Sequence, residues 1–193
     1  LPHPVSFRMH GAAEISAAAR ALREGRLIAF PTETVYGLGA NAYDAAAVAK
    51  VFSLKGRPPT NPLIVHVCDE AMARDVVQEW TLQASRLARA LWPGPLSVVL
   101  PRGNRIPDIV TAGSPNVAVR CPDHPLTLAL IRELGFPLVG PSANASGHVS
   151  PTTAQHVRAE FSEHDVFILD GGPCRGGIES TVVTLAAHPP RVL

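Results

Sequence analysis

The chain has 193 residues, of which 46% are hydrophobic and 17% are charged, and this mixture excludes a disordered chain and a collagen-like repeat. Seventeen Lys and Arg residues against sixteen Asp and Glu residues give a formal net charge of +1, far from the strongly basic balance of a dedicated nucleic-acid-binding protein. The length suits one domain with a sizeable core, and no apolar stretch approaches the roughly 18 residues that span a bilayer.

Predicted helices and strands mostly alternate along the chain. Residues 14–24 carry apolar side chains at helical spacing, and Gly25 can cap the end of that helix. Asp44 suits the N-cap of the next helix, and Pro125 suits the first turn of a later one. The predicted helices cover 14–24, 44–54, 81–92, 125–135 and 153–161, and the predicted strands cover 27–30, 63–67, 96–100, 117–120, 138–140, 166–169 and 181–185. This alternation predicts an α/β domain with a mixed, largely buried sheet.

The loop after the first predicted strand is the first candidate for a ligand site, because ligands of open α/β sheets usually bind beyond strand ends. Residues 31–39 contain the hydroxyl side chains of Thr32, Thr34 and Tyr36 together with two glycines. Two interpretations are equally open. The segment forms a pocket for a small polar ligand, or it is a turn whose hydroxyls bind their own backbone.

The second candidate is a pair of cations, Lys55 and Arg57, which flank Gly56 between a helix and a strand. Such cations suit a polyphosphate, because Lys acts as a point charge and Arg donates a planar pair of hydrogen bonds. The alternative is helix capping, since basic residues and glycine at a helix C-terminus complement its dipole and free carbonyls. Taken alone, the segment favours capping.

Two further loops are rich in small and polar residues. Residues 140–147 contain Ser142 and Asn144, follow a predicted strand and precede a predicted helix. They offer hydroxyl, amide and backbone N–H donors to an anion, with an ordinary turn as the alternative. Residues 170–181 are glycine-rich, which fits a loop that closes over substrate and equally a plain surface connection.

The sequence excludes several common sites. Neither G-x-x-x-x-G-K-[ST] nor G-x-G-x-x-G occurs, so a nucleotide would be held without the two commonest phosphate loops. The three cysteines and eight histidines show no metal-ligand spacing. No serine or cysteine stands in a nucleophile motif. His66 lies in a predicted strand, where it is either a ligand-facing donor or a half-buried structural residue.

Taken in this order, the segments resemble the YrdC-type family of threonylcarbamoyl-AMP synthases over residues 14–193. The matching motifs are residues 31–39, the K-x-R of Lys55 and Arg57, residues 61–66, residues 117–122, the S-x-N of Ser142 and Asn144, and residues 179–183. Each motif is weak alone, but six in register are specific. The resemblance implies one YrdC-like catalytic domain over residues 1–193, with a twisted mixed sheet flanked by helices and an open ligand cavity. Longer members add a C-terminal domain, and the chain would then correspond to their N-terminal catalytic domain.

The resemblance also implies an enzyme that joins L-threonine, bicarbonate and ATP into threonylcarbamoyl-adenylate and pyrophosphate. The implied threonine site comprises Thr32, Thr34, His66, Arg120 and Ser180. The implied ATP site comprises Lys55, Arg57, Asn61, Ser142, Asn144 and Ser150, and the catalytic role falls to Lys55, Arg57, Ser142 and Asn144. Mg²⁺ would accompany the nucleotide without a metal site of the protein, and catalysis would rest on positioning and electrostatics. No residue stands out as a general base.

Two alternatives to this enzyme are a carbamoyl-adenylate-forming domain of a carbamoyltransferase and a non-catalytic RNA-binding module. The low aromatic content of 5% and the near-neutral charge count against the RNA-binding module. The implied partners are the three substrates, the proteins that transfer the threonylcarbamoyl group to tRNA, and tRNA itself. Widely spaced cysteines fit a reducing compartment, and we expect a cytoplasmic protein with no membrane partner.

Overall fold

The fold is that of a computed structural model, which describes the backbone of residues 4–193 and the side chains of residues 11–193. The first three residues of the predicted domain lie outside the described residues. The helices are α1 (Pro4–Arg23), α2 (Ala45–Lys55), α3 (Glu70–Val76), α4 (Leu82–Leu91), α5 (Asp108–Thr111), α6 (Pro125–Leu134) and α7 (Ala154–Glu160). The strands are β1 (Leu27–Phe30), β2 (Gly37–Asn41), β3 (Ile64–His66), β4 (Leu96–Pro101), β5 (Asn116–Arg120), β6 (Leu138–Val139), β7 (Val166–Ile168), β8 (Thr181–Thr184) and β9 (Arg191–Val192).

The strands form one mixed sheet in the order β7-β1-β2-β6-β3-β5-β4-β8-β9. Three neighbouring pairs run parallel, namely β1 with β7, β3 with β5, and β4 with β8, and the other pairs run antiparallel. The predicted α/β class with a twisted mixed sheet flanked by helices is therefore confirmed. This order brings β3, β5 and β6 together, although the chain separates them widely.

Capping residues set the helix boundaries where the sequence predicted them. The Asp44 carboxylate accepts the N–H groups of Ala46 and Ala47 at the start of α2, and Gly56 ends this helix in the left-handed region at φ 59°. Pro125 begins α6, and Gly135 ends it in the same left-handed conformation. Local chemistry thus places the C-terminal end of α2, where the Lys55 and Arg57 motif begins.

Several elements are not among the predicted ones. The short helices α3 and α5 and the strand β2 were not predicted, and α1 begins ten residues before the predicted start at residue 14. Strand β2 was not predicted because it contains Gly37 and Gly39, and glycines indicate a loop. A Cβ on Gly37 would lie 2.6 Å from the Phe30 ring. Glycine is therefore required for β2 to pair with β1 beside this large side chain.

The loop at residues 140–147 precedes the helix predicted at residues 153–161, which is confirmed as α7, but six residues separate the loop from this helix. Helix α7 begins at Ala154, where Thr153 is its N-cap. The loop therefore lacks the helix N-terminus that the sequence suggested for it. Within residues 4–193, no helix is both long enough and apolar enough to cross a membrane.

Candidate functional site

A cavity of about 190 Å³ lies where the β1–β2 turn, the segment before β3, the end of β5 and the loop after β6 meet. Five predicted site residues line it, namely Thr34, Arg57, Arg120, Ser142 and Ser180. The other six, Thr32, Lys55, Asn61, His66, Asn144 and Ser150, lie outside its lining. A more open groove of about 600 Å³ near Arg26 and Lys50 contains none of the predicted residues, so we take the smaller cavity as the candidate site.

The β1–β2 turn is held by the hydroxyl of Thr32. This hydroxyl donates to the Val35 carbonyl at 2.6 Å and accepts the backbone N–H groups of Thr34 and Val35. The Thr32 side chain is thus occupied within its own turn, as one of the two interpretations predicts. The neighbouring Thr34 faces the cavity instead. The turn therefore supplies the cavity with Thr34, and Thr32 fixes its position.

Arg120 ends β5 with its guanidinium in the cavity wall and is only 4% exposed. Its Nη2 lies 2.8 Å from Glu33 Oε1 and donates to Thr34 Oγ1 at 2.9 Å, while Nε donates to the Gly94 carbonyl at 3.3 Å. The Glu33 carboxylate also accepts the N–H of Asp123 through Oε2. Among the described residues, Nη1 of Arg120 has no hydrogen-bond partner. It is the nitrogen that a ligand carboxylate can use.

His66 is fully enclosed beside the cavity rather than in its lining. It pairs with Arg120 across the β3–β5 register, and its ring meets the Phe30 ring edge-on at 5.4 Å. Burial, together with the Arg120 charge, lowers the pKa of His66 to about 3. The imidazole is therefore neutral at physiological pH, and its Nδ1 has no partner among the described residues. Gly140 packs against it so closely that a Cβ there would lie 2.7 Å from Nδ1.

Lys55 lies behind the loop that carries the S-x-N motif. Its ammonium donates to the carbonyls of Ser142 and Asn144, at 2.5 Å in each case, and the side chain is 3% exposed. Burial, with a smaller contribution from the Arg57 charge, lowers the pKa of Lys55 to about 8. The Asn144 amide in turn donates to the carbonyls of Ala145 and His148. These contacts fix the loop, and direct contact of Lys55 with ATP stays a prediction.

Arg57 lines the cavity next to the start of β3, whereas Arg120 pairs with His66 at the other end of that strand. Its Nη2 donates to the Pro62 carbonyl at 2.9 Å, and Nε donates to the Asn61 carbonyl at 3.3 Å. Gly56 caps the helix end, as the capping interpretation predicts, while the Arg57 side chain binds carbonyls beyond the helix. Among the described residues, no carboxylate pairs with Arg57. The side chain of Asn61 is exposed and outside the cavity lining.

The remaining wall is built from hydroxyls and a carboxylate near β8. Ser180 shares a hydrogen bond of 2.8 Å with Ser97, a fully buried residue of β4. Ser150 donates to Glu179, whose side chain also lines the cavity. Ser97, Glu179 and Glu33 are residues that the sequence analysis did not single out. The one signal for Ser97 was a polar residue inside an apolar strand.

The glycine-rich segment before β8 is fastened to the β1–β2 turn. The N–H groups of Gly176 and Gly177 donate to the carbonyls of Glu33 and Thr34, and the Tyr36 hydroxyl donates to the Gly172 carbonyl at 2.8 Å. This segment therefore supports the residues that position Arg120. Within the described part of the chain, no group of three or more His, Cys, Asp or Glu residues could hold a metal ion.

Comparison with known proteins places this chain in a family. The family model Sua5_yciO_yrdC, described as telomere recombination, matches residues 20–193. Threonylcarbamoyl-AMP synthase of Pyrococcus abyssi is 48% identical over 180 residues, which cover 93% of this chain and 53% of that protein. Threonylcarbamoyl-AMP synthase of Bacillus subtilis is 49% identical over 181 residues, which cover 93% of this chain and 52% of that protein. The chain thus spans about half the length of these curated relatives.

Solved structures agree with the sequence comparison. The crystal structure of P. abyssi Sua5 complexed with L-threonine matches with a TM-score of 0.90 at 48% identity, covering 93% of this chain and 53% of that chain. The E. coli YciO structure, at 20% identity and a TM-score of 0.79, shares the fold. The family resemblance drawn from the motifs is confirmed, and the chain belongs to the Sua5/YciO/YrdC family.

Proposed function

We propose that the chain is a catalytic domain that forms threonylcarbamoyl-adenylate from L-threonine, bicarbonate and ATP and releases pyrophosphate. The observation that carries this proposal is a cavity lined by two guanidiniums, where within residues 11–193 Nη1 of Arg120 has no hydrogen-bond partner and Arg57 has no carboxylate partner. Relatives at 48% and 49% identity are named threonylcarbamoyl-AMP synthase, which supports the same reaction. The domain would span residues 1–193.

Threonine would occupy the Arg120 end of the cavity. Arg120 Nη1 would donate to the substrate carboxylate, a charge-assisted hydrogen bond of the strong kind. The hydroxyls of Thr34 and Ser180 line the same space and would bind the other polar groups of the amino acid. His66 would contribute by shaping the wall as a neutral ring, because its pKa of about 3 keeps it uncharged. Thr32 would act through the turn that presents Thr34.

ATP would approach from the Arg57 end. A volume of about 190 Å³ is below the roughly 300–1,000 Å³ of typical ligand pockets, so the nucleotide would extend beyond the cavity. A groove of about 550 Å³ shares Pro62, Leu63 and Ile64 with the cavity and offers that space. Arg57 and the loop of Ser142 and Asn144 would bind the phosphates, with Lys55 fixing the loop from behind. Asn61 and Ser150 complete the proposed ATP-binding set.

Mg²⁺ would enter with ATP as part of the substrate. Mg²⁺ retains several waters and is commonly held by substrate phosphates with few protein ligands. The ion would neutralise phosphate charge, while the protein supplies cations and a fixed geometry.

The chain would accelerate the reaction by positioning and electrostatic stabilisation. The threonine ammonium releases a proton to solvent, and its nitrogen and bicarbonate then form a carbamate with loss of water. A carbamate oxygen then attacks the α-phosphorus, and the bond to pyrophosphate breaks. Arg120 would orient the amino acid, and Arg57 would stabilise the negative charge that builds on the phosphates. We assign no general base.

The product would be a reactive acyl-adenylate for use in tRNA modification. Downstream proteins would transfer the threonylcarbamoyl group to an adenosine beside the tRNA anticodon, and contact with tRNA itself is part of the same proposal. This role would place the protein in the cytoplasm.

Pyrophosphate release from Mg·ATP tests the proposal, with threonine and bicarbonate omitted in turn. We expect release only when both are present. Release that requires carbamoyl phosphate instead would indicate a carbamoyltransferase domain and contradict the proposal. Steeply salt-dependent RNA binding without ATP turnover would indicate an RNA-binding module. Absence of both ATP binding and threonine binding would contradict the assignment of the cavity.

A further inference from the structure

The two guanidiniums of the cavity differ in their ionic partners. Arg120 is paired with Glu33 at 2.8 Å, and the side chains of both residues are nearly inaccessible, at 5% and 9% exposed. Arg57 binds only backbone carbonyls among the described residues. The Arg120 end of the cavity therefore carries a neutralised ion pair, whereas the Arg57 end carries a cation that pairs with no carboxylate of residues 11–193.

Glu33 is built into the wall behind Arg120. Its backbone carbonyl accepts the N–H of Gly176, and its carboxylate accepts the N–H of Asp123 at 3.1 Å. Both ends of the Glu33 residue are therefore anchored, so the carboxylate holds a fixed place against Nη2 of Arg120. Arg120 in turn can rotate little, because Nε and Nη2 are both engaged. Only Nη1 remains for a ligand.

A neutralised guanidinium recognises a different ligand from a bare one. A bare buried cation favours a net anion such as phosphate, because the Coulomb attraction is strong where water is excluded. When a carboxylate already pairs with the guanidinium, that net attraction is largely cancelled. Directional hydrogen bonding from Nη1 remains, and it suits the carboxylate of a zwitterionic amino acid. Glu179 also lines the cavity, but its exposure to solvent weakens its field.

We propose that Glu33 is a specificity-determining residue, which makes the Arg120 end selective for a zwitterionic amino acid and excludes phosphate from it. The inference rests on the proposed function. It also explains which substrate binds at which end of the cavity. The polyphosphate is drawn to Arg57, which forms no ion pair with the described residues, and the amino acid binds at the end where Glu33 neutralises Arg120. Glu33 acts through Arg120 and contacts neither substrate.

The experiment measures L-threonine binding calorimetrically to the whole chain, in the absence and presence of inorganic phosphate. The wild type should bind threonine with an affinity that phosphate leaves unchanged. Glu33→Gln removes the charge at nearly constant size. Because Arg120 would lose the anchored carboxylate that holds it in place, we expect the variant to bind threonine about tenfold more weakly, equivalent to about 1.4 kcal/mol. Because the guanidinium charge would no longer be cancelled, we also expect phosphate to become a competitor of threonine. An unchanged threonine affinity, or a lack of competition, would overturn the inference.

Glu33→Asp separates charge from position. The shorter side chain retains the negative charge but reaches Arg120 less well, so threonine should bind more weakly while phosphate still fails to compete. Competition by phosphate in this variant would contradict the charge argument. The aspartate variant also carries the test if Glu33→Gln does not fold, which thermal unfolding would reveal.

Glu70→Gln is the matched control. Glu70 pairs with Arg74 at 2.5 Å outside the cavity, so this variant also removes the carboxylate of an arginine pair. It should bind threonine like the wild type, without phosphate competition, and a response equal to that of Glu33→Gln would overturn the inference. Absence of threonine binding in the wild type would instead contradict the proposed function itself, and this inference with it.

Discussion

Replacing Lys55 by methionine tests whether this lysine supports the S-x-N loop or contacts ATP directly. Methionine has a similar length but cannot donate to the carbonyls of Ser142 and Asn144. Hydrogen bonds from a charged group contribute about 1.5–3 kcal/mol each, so two of them amount to roughly 3–6 kcal/mol. Against this loss, the lowering of the Lys55 pKa from 10.5 to about 8 means that keeping the buried ammonium charged costs about 3 kcal/mol. We therefore expect Lys55→Met to lower the free energy of unfolding by about 1–2 kcal/mol.

Urea unfolding and ATP-dependent pyrophosphate release measure the two consequences. Because the loop would lose its anchor, the KM for ATP should rise together with the loss of stability, while threonine binding persists. Lys50→Met is the control on the same helix, since Lys50 donates a single bond of 2.7 Å to the Gly25 carbonyl. It should cost no more than about 1 kcal/mol and leave the KM for ATP unchanged.

The opposite pattern would refute this role of Lys55. If the ammonium serves mainly to bind phosphate, removing it relieves the cost of a buried charge. The variant would then be as stable as the wild type, or more stable, and would still lose ATP affinity. That result would make Lys55 a direct ligand of the nucleotide and would require the loop to be held by its other contacts.

Three further predictions concern the same site. Burial lowers the pKa of Lys55 from 10.5 to about 8, so the unfolded chain binds more protons than the folded chain over the pH range between these two values. This residue should therefore make the free energy of unfolding rise with pH in that range, and unfolding of Lys55→Met at several pH values should lack this rise. Arg57→Ala should remove charged hydrogen bonds of about 1.5–3 kcal/mol each to ATP and raise the KM for ATP by roughly tenfold or more, and unchanged ATP kinetics would contradict its assignment. Gly140→Ala would place a Cβ 2.6 Å from Phe30 and 2.7 Å from His66, so thermal unfolding should reveal a loss of about 1–3 kcal/mol from overpacking, whereas unaltered stability would show that the wall can adjust.

Local signals in the sequence were sufficient to predict most of the helices and strands. Asp44 and Gly56 mark the two ends of α2, and they are recognisable in the sequence because capping depends on residues adjacent to the helix. The same reasoning failed at β2, where Gly37 suggests a loop. The need for glycine there comes from the Phe30 ring on the neighbouring strand, and this packing partner is identified only once the strands are paired.

The candidate site was likewise predictable in part from the sequence. The motifs predicted Thr34, Arg57 and Arg120, and the fold brings these three residues to one cavity. The motifs did not indicate that Lys55 lies behind the cavity wall, because a K-x-R sequence gives no direction for either side chain. Its orientation follows from the course of the loop at residues 140–147.

Ser97 illustrates why the supporting residues escaped prediction. It lies in β4 opposite Arg120 of β5 and opposite Val182 of β8, and Ser180 comes immediately before β8. Its neighbours Leu96 and Val98 belong to the hydrophobic core, so the sequence around it indicates an ordinary buried strand. A buried hydroxyl needs a partner, and the partner of Ser97 is the Ser180 hydroxyl, 83 positions away. Only the strand order β5-β4-β8 makes that pair possible, so the residues that orient a binding group are set by sheet topology rather than by the motif that carries the group.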